Sequence, residues 1–325
     1  SLILVPRKIM EGRKEAEKPE LKEYLIHVDP KDDSRSICRK IISLYVVSAD
    51  LIHVRFKNNE IDPTIKRVIG DLVKNTLLGS EIIDETTNEI TIQILINHPD
   101  FPVEQAIRRM ALLALSANSA AISALKNTDQ GLIQSVIDEY NDVNRLNLYV
   151  IRQLKFGLER NLFRELGFKT SKEFLGYRIV ANDIKSIADN AKNITDNITT
   201  LRKLIKDKML FLKESIDEEV YAQIFNFNSL AHQLFEESLK AMFKRDYECA
   251  DKIIIRLESF VTLENDLITL ISSKKLDPNV SSILRLILDS SRRIVDYSRD
   301  IAEVTLNRTI EEISSMQALK PNFSK

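Results

Sequence analysis

The stretch "RRIVDYSRDIAE" at residues 292–303 is a second version of "KSIADNAKNITD" at residues 185–196. Setting Asp296 over Asp189, an offset of 296 − 189 = 107 residues, aligns a basic residue, an isoleucine, the aspartate, a second basic residue and another isoleucine. Both stretches place apolar residues three and four apart, which is typical of an amphipathic helix. The repeat therefore predicts that one helical unit occurs twice.

Long helices are predicted for the chain beyond Pro99. Proline is absent from Val103 through Asp277 and no glycine follows Gly176, so this region lacks the usual helix breakers. A capping box is predicted at Ser215 to Glu218, before the fourth helix. Caps and apolar stripes together predict helices near 101–127, 130–163, 172–208, 219–244, 247–273 and 278–316. A repeat of about 110 residues with three long helices per copy indicates a duplicated bundle.

The chain before Pro99 has a different pattern. Short β-branched runs at 21–28, 51–56, 80–86 and 89–96 predict strands, and the segments that begin at Ser34 and Pro63 predict helices. This order predicts a small βαβαββ domain with parallel neighbours and a closing hairpin at "ETTNE". We therefore predict a mainly α fold in which two tandem three-helix bundles, at 99–213 and 214–325, follow an α/β domain at 21–98.

Composition excludes several classes of protein. Lys plus Arg (47) and Asp plus Glu (48) give a net charge of −1, so no global charge attracts nucleic acid or an anionic membrane. Cys38 and Cys249 are far apart in sequence, as expected for reduced thiols in the cytosol. The longest apolar stretch, 111–125, is too short to span a bilayer, so no membrane insertion is expected. The sequence contains no glycine-rich phosphate loop, no HExxH motif and no CxxC motif, so none of these indications of an enzyme is present.

The duplicated triplet resembles the PhoU family of phosphate-uptake regulators. The third helix of each half of that family characteristically reads Glu-Arg-Ile-Gly/Ala-Asp-His/Tyr-Ala-x-Asn-Ile, which "IADNAKNI" and "RIVDYSRDI" resemble. "DVNRLNLYVIRQL" at 142–154 and the α/β domain are similar to archaeal-type members. "SLILVPRK" looks like the last strand of an AbrB-type DNA-binding domain, which makes residues 1–20 a remnant strand and a linker.

The resemblance implies a cytoplasmic, non-enzymatic regulator of phosphate uptake. Its expected partners are subunits of the phosphate ABC transporter or a signalling regulator, and a homodimer is expected. The chain opens on Ser1 rather than Met, so we expect an upstream segment. That segment would complete an AbrB-like domain that binds DNA. One alternative is a transcription factor whose sensing half is this chain. A second alternative is a metal-binding helical-bundle protein.

Family members bind iron, zinc or other divalent metals through Glu/Asp-x-x-x-Asp carboxylates, because residues four apart share a helix face. This sequence departs from the pattern, since Lys185 precedes Asp189 and Arg292 precedes Asp296 by four residues. We expect i,i+4 ion pairs there, and no cofactor. The positions at which iron or zinc remains an alternative are Asp189, Asp296, Asp138 and Asp142. His53 is expected to be a strand residue rather than a ligand, and Arg108 and Arg109 are expected to face solvent, with phosphate contact as the alternative.

Overall fold

A computed structural model describes residues 21–57, 61–96, 101–126, 129–207 and 217–318. The predicted AbrB-like strand and linker at 1–20 lie outside the described residues. In these ranges the chain is mainly α-helical, with a small sheet before the long helices, as the sequence predicts.

The predicted βαβαββ domain is present. Its sheet has the order β1-β2-β4-β3, in which β1 and β2 are parallel and β4 is antiparallel to both of its neighbours. The "ETTNE" segment closes the β3–β4 hairpin as predicted, and β4 inserts between β2 and β3. The elements are β1 (Glu23–Val28), α1 (Ser34–Val46), β2 (Leu51–Phe56), α2 (Pro63–Asn75), β3 (Ser80–Glu85) and β4 (Glu89–Ile94).

Both short helices begin at aspartate caps. Asp33 accepts a hydrogen bond from the backbone N–H of Arg35, and Asp62 accepts one from Thr64 at the start of the Pro63 helix. Apolar residues of both helices form one core with the alternating inward residues of the strands. This core is the buried set Ile37, Ile41, Ile69, Val73, Ile26, Ile52, Val54, Ile90 and Ile92.

Six long helices follow in the described ranges, close to their predicted limits. They are α3 (Val103–Lys126), α4 (Gln130–Glu159), α5 (Glu173–Asp207), α6 (Glu218–Lys244), α7 (Tyr247–Ser273) and α8 (Pro278–Ala318). The capping box predicted at Ser215 is wrong, because the α6 cap is Asp217, whose carboxylate accepts from the N–H groups of Glu219 and Val220. An aspartate directly before the first helical residue reaches two otherwise unpaired N–H groups.

The two third helices, α5 and α8, pack against each other in antiparallel directions. A methyl group on Gly176 would meet Val304, Asp183 lies near Asp300, and Asn193 lines a cleft with Ser290. The repeat offset of 107 residues, 296 − 189, maps Asp183 onto Ser290 and Asn193 onto Asp300. Exchanging the two copies thus reproduces the same contact, as a pseudo-twofold relation requires.

Packing divides the chain into two units. One comprises the residues up to Ala106 together with Asn144–Phe174, and the other comprises Ile107–Val143 together with the residues from Leu175 on. The division falls inside α3, α4 and α5, so it follows packing rather than the sequence repeat. The four segments predicted from the sequence stay a prediction. No helix in the described ranges is long and apolar enough to cross a membrane.

Within the first unit, Arg152 joins the second half of α4 to the α/β domain. Its side chain is buried at 4% exposure, and one guanidinium nitrogen donates to the carbonyls of Tyr45 and Ala49, both at 2.8 Å. The Tyr45 carbonyl lies in the last turn of α1, where the carbonyls of a helix lack partners within it, and the Ala49 carbonyl lies between α1 and β2. The Ser48 hydroxyl donates to the Arg152 carbonyl at 3.4 Å, and Asp50 lies 3.7 Å from the guanidinium.

Candidate functional site

The repeated motif forms a series of ion pairs along α5. Lys185 pairs with Asp189, and about two turns further on Lys192 pairs with Asp196 at 2.5 Å. The Lys192 ammonium also lies 5.9 Å from the ring centre of Tyr140 on α4. The ion pair predicted at Asp189 is confirmed.

The equivalent positions of α8 form the same pairs. Arg292 lies 3.1 Å from Asp296, and Arg299 lies 3.5 Å from Glu303. The predicted pair at Asp296 is thereby confirmed, and the second pair at Arg299 recurs at the same offset of 107 residues, the difference between 299 and 192. We call these four base-then-acid pairs, at 185/189, 192/196, 292/296 and 299/303, the charge ladder.

Additional acids crowd the α8 part of the charge ladder. Arg292 also contacts Glu264 of α7 at 3.2 Å, and Arg299 donates to Asp300 at 2.9 Å. Burial raises the pKa of Glu264. The positive charge of Arg292 opposes part of this rise, and the negative charge of Asp296 adds to it. The hydrogen bond to Asp300 raises the pKa of Arg299. The sequence did not indicate Glu264, because it lies on a different helix, 28 residues before Arg292.

The ladder side chains are half-exposed. Their exposed fractions run from 20% at Arg292 to 55% at Glu303. An exposed i,i+4 pair contributes only about 0.2 to 0.5 kcal/mol to helix stability. The two more exposed pairs, 192/196 and 299/303, can therefore exchange partners for charges on another molecule at small cost.

The structure places the four metal candidates apart from any cluster of ligands. Asp189 forms an ion pair with Lys185, and Asp296 forms one with Arg292. Asp138, which is exposed, accepts a hydrogen bond from the side-chain amide of Gln134 at 2.8 Å. Asp142 is exposed one turn further along α4. Within the described ranges, no three His, Cys, Asp or Glu side chains are grouped so that they could hold a metal ion. The expectation of no metal stays a prediction.

His53 is a strand residue, as predicted. It lies on β2, and its Nδ1 is 3.1 Å from a carboxylate oxygen of Glu89 and 3.3 Å from the Thr91 hydroxyl. Burial raises the pKa of Glu89, but hydrogen bonds from Arg55 and His53 outweigh this and lower it. Arg108 and Arg109 are exposed, and Arg108 stacks over the ring of Phe243 at 4.1 Å.

One buried acid in the helical region was missed by sequence reasoning. Asp183 on α5 is only 5% exposed, and its Oδ2 has no hydrogen-bond partner among the described residues. Burial, with a smaller effect of Asp300, raises the pKa of Asp183 to about 7. Helical spacing could have indicated that Asp183 is buried, because it lies three residues after Val180 and four before Ile187, both fully buried core positions.

The comparisons with known proteins agree with the repeat. Residues 107–198, which include the first copy of the ladder, match the family model described as PhoU domain. The chain carries a PhoU domain. The resemblance to the PhoU family that the sequence indicates is thus shown, whereas the archaeal-type, AbrB-like detail stays a prediction.

A solved structure shares the fold of a large part of this chain. The crystal structure of PhoU from Pseudomonas aeruginosa superposes with a TM-score of 0.54 and 20% sequence identity, covering 63% of this chain and 95% of that one. At this identity the likeness establishes the fold alone. No curated protein matched the sequence.

Proposed function

We propose that this protein is a non-enzymatic regulator of phosphate homeostasis whose helical bundles bind subunits of a phosphate ABC transporter or a signalling regulator. The observation that carries the proposal is the charge ladder, which begins in the PhoU domain at 107–198 and recurs on α8. The two copies present the same alternation of positive and negative charge on antiparallel helices. A partner with the complementary pattern would meet two equivalent surfaces.

The order of charges within the ladder supports a role in recognition. An acid placed four residues before a base stabilises a helix better than the reverse, because it also suits the helix dipole. All four ladder pairs have the less favourable order, with the base first. Helix stability therefore does not account for this arrangement, whereas recognition of a charged partner does.

The test is binding between this protein and the purified ATPase subunit of the phosphate transporter, measured by titration calorimetry. We expect binding that weakens as salt rises, because the ladder charges are partly exposed. Reversing the more exposed cation of each copy, by Lys192→Glu with Arg299→Glu, should weaken binding at least about tenfold.

The matched control is Lys240→Glu. Lys240 forms an exposed i,i+4 pair with Glu236 at 2.7 Å on α6, outside the ladder. Its reversal should leave binding unchanged. Absence of binding to the ATPase subunit and to phosphate-signalling regulators alike, or equal effects of ladder and control variants, would refute the proposal.

The cytoplasmic location, the homodimer and the coupling to DNA remain predictions that rest on the resemblance. The transcription-factor alternative depends on residues 1–20 and on a segment before them, and no described residue favours it.

A further inference from the structure

The two edges of the sheet differ in how well they are protected. At the β3 edge the register shifts between Ile82 and Asp84, and the exposed acids Glu81, Asp84 and Glu85 lie within the strand. Bulges and charges of this kind hinder pairing with another strand. The opposite edge, β1, pairs with β2 in one unbroken register from Glu23 to Val28. Neither a proline nor a bulge blocks it.

The backbone of β1 presents a full set of groups at its outer edge. The Lys22 carbonyl accepts from the N–H groups of Asp50 and Leu51, and the Val28 carbonyl accepts from Lys57, so both point toward β2. Backbone groups alternate along a strand. The N–H and C=O groups of Glu23, Leu25 and His27 therefore point away from β2, along the open edge.

The side of α1 beside this edge leaves room for a strand. A cleft of about 330 Å³ lies between β1 and α1, with Leu25, Ile26 and Leu44 as its apolar lining. The α1 side chains along it include the small residues Ser36 and Ser43. In the described part of the chain, this cleft thus leaves space beside β1.

We infer that β1 pairs antiparallel with β1 of a second copy, so that two four-stranded sheets join into one across a twofold axis at Leu25. In this register Leu25 meets Leu25 of the other copy, and Glu23 meets His27. All three outward residues form hydrogen-bonded pairs, which gives six backbone hydrogen bonds. Glu23 and His27 point to the same face as Leu25, so each copy places a carboxylate opposite an imidazole.

The neighbouring register is poorer. Shifting the axis to Ile26 places Glu23 opposite Asp29, and two acids directly opposite each other are destabilising. Charge therefore favours the register centred on Leu25 over this neighbour. This pairing is isologous, as expected of a closed dimer, and it is independent of the partner that the charge ladder binds.

Sedimentation velocity of the whole chain and its variants tests the inference. We expect the unmodified protein to be a dimer. Leu25→Lys places two ammonium groups together at the axis and should weaken the dimer at least about a hundredfold. The matched control is Ile83→Lys, since Ile83 is 51% exposed on the protected β3 edge. It should leave the dimer intact.

A charge exchange tests the register and does not depend on how well Leu25→Lys folds. Glu23→Lys or His27→Glu alone should weaken the dimer about tenfold, and the double variant should restore it to within about threefold. A monomeric unmodified protein would overturn the inference. This result is expected if Arg39 and Lys40, which also line the cleft, instead receive an acidic peptide of another protein. A dimer that survives Leu25→Lys, or that the double variant fails to restore, would also overturn it.

Discussion

Charge has opposite roles at Arg152 and in the ladder. Arg152 is buried, its carbonyl partners lie in the last turn of α1 and between α1 and β2, and burial lowers the pKa of its guanidinium. The ladder cations are half-exposed and each is held by an acid one turn away. A buried guanidinium cannot exchange its partners without leaving unpaired carbonyls, whereas an exposed pair can. We therefore assign stability to Arg152 and recognition to the ladder.

The largest effect is expected at Arg152. Arg152→Ala removes the buried guanidinium donor from the carbonyls of Tyr45 and Ala49, together with the packing of the side chain, and should lower the free energy of unfolding by about 3 kcal/mol. Urea denaturation measures this loss. Lys155→Ala, an exposed position on the same helix, should change stability by less than about 0.5 kcal/mol. Equal effects of the two variants would remove the distinction between buried and exposed charge.

A substitution at Asp183 tests how much an unpaired buried charge lowers the free energy of unfolding. Its folded pKa of about 7 exceeds the ordinary value of 3.8, so between these pH values the folded state holds a proton that the unfolded state releases. Stability from this group is complete below about pH 4 and is lost as pH rises through 7. Asp183→Asn should abolish this loss and add about 2 kcal/mol at pH 8.

Thermal unfolding between pH 4 and pH 8 is the measurement, with Asp251→Asn on the exposed surface of α7 as control. An unchanged pH profile in Asp183→Asn would show that this carboxylate is already satisfied when charged.

Lys185→Glu sharpens the comparison within the ladder itself. It replaces a cation by a carboxylate four residues before Asp189, so the ion pair becomes two like charges and stability should fall by about 0.5 kcal/mol. The two carboxylates could then hold a divalent cation. Calorimetry with zinc should detect binding to the variant and not to the unmodified protein. Stoichiometric zinc on the unmodified protein would contradict our reading of Lys185.

The sequence predicted the elements well because their signals are local. Caps such as Asp33 and Asp62, and apolar residues at helical spacing, lie within the helices they define. The base-then-acid pairs could also be predicted, since both members lie on one helix. The insertion of β4 between β2 and β3 could not, because strand order depends on packing between distant segments.

The hydrogen-bond partners of Arg152 could not be predicted from the sequence either. It lies between Val150 and Leu154, both buried, which indicates a buried position but not a partner. The carbonyls that it binds are more than 100 residues away along the chain. Glu264 and Asp183 were missed for the same reason, because their charged neighbours lie on other helices.

The most direct test of the central claim is to exchange the two members of one ladder pair, by Lys192→Asp with Asp196→Lys. The exchange keeps the ion pair and converts it to the acid-first order, so the free energy of unfolding should change by less than about 0.5 kcal/mol. Binding to the transporter ATPase subunit should nevertheless fall at least about tenfold, because the pattern of charge is reversed. Unchanged binding by a fully stable exchanged variant would contradict the assignment of recognition to the ladder.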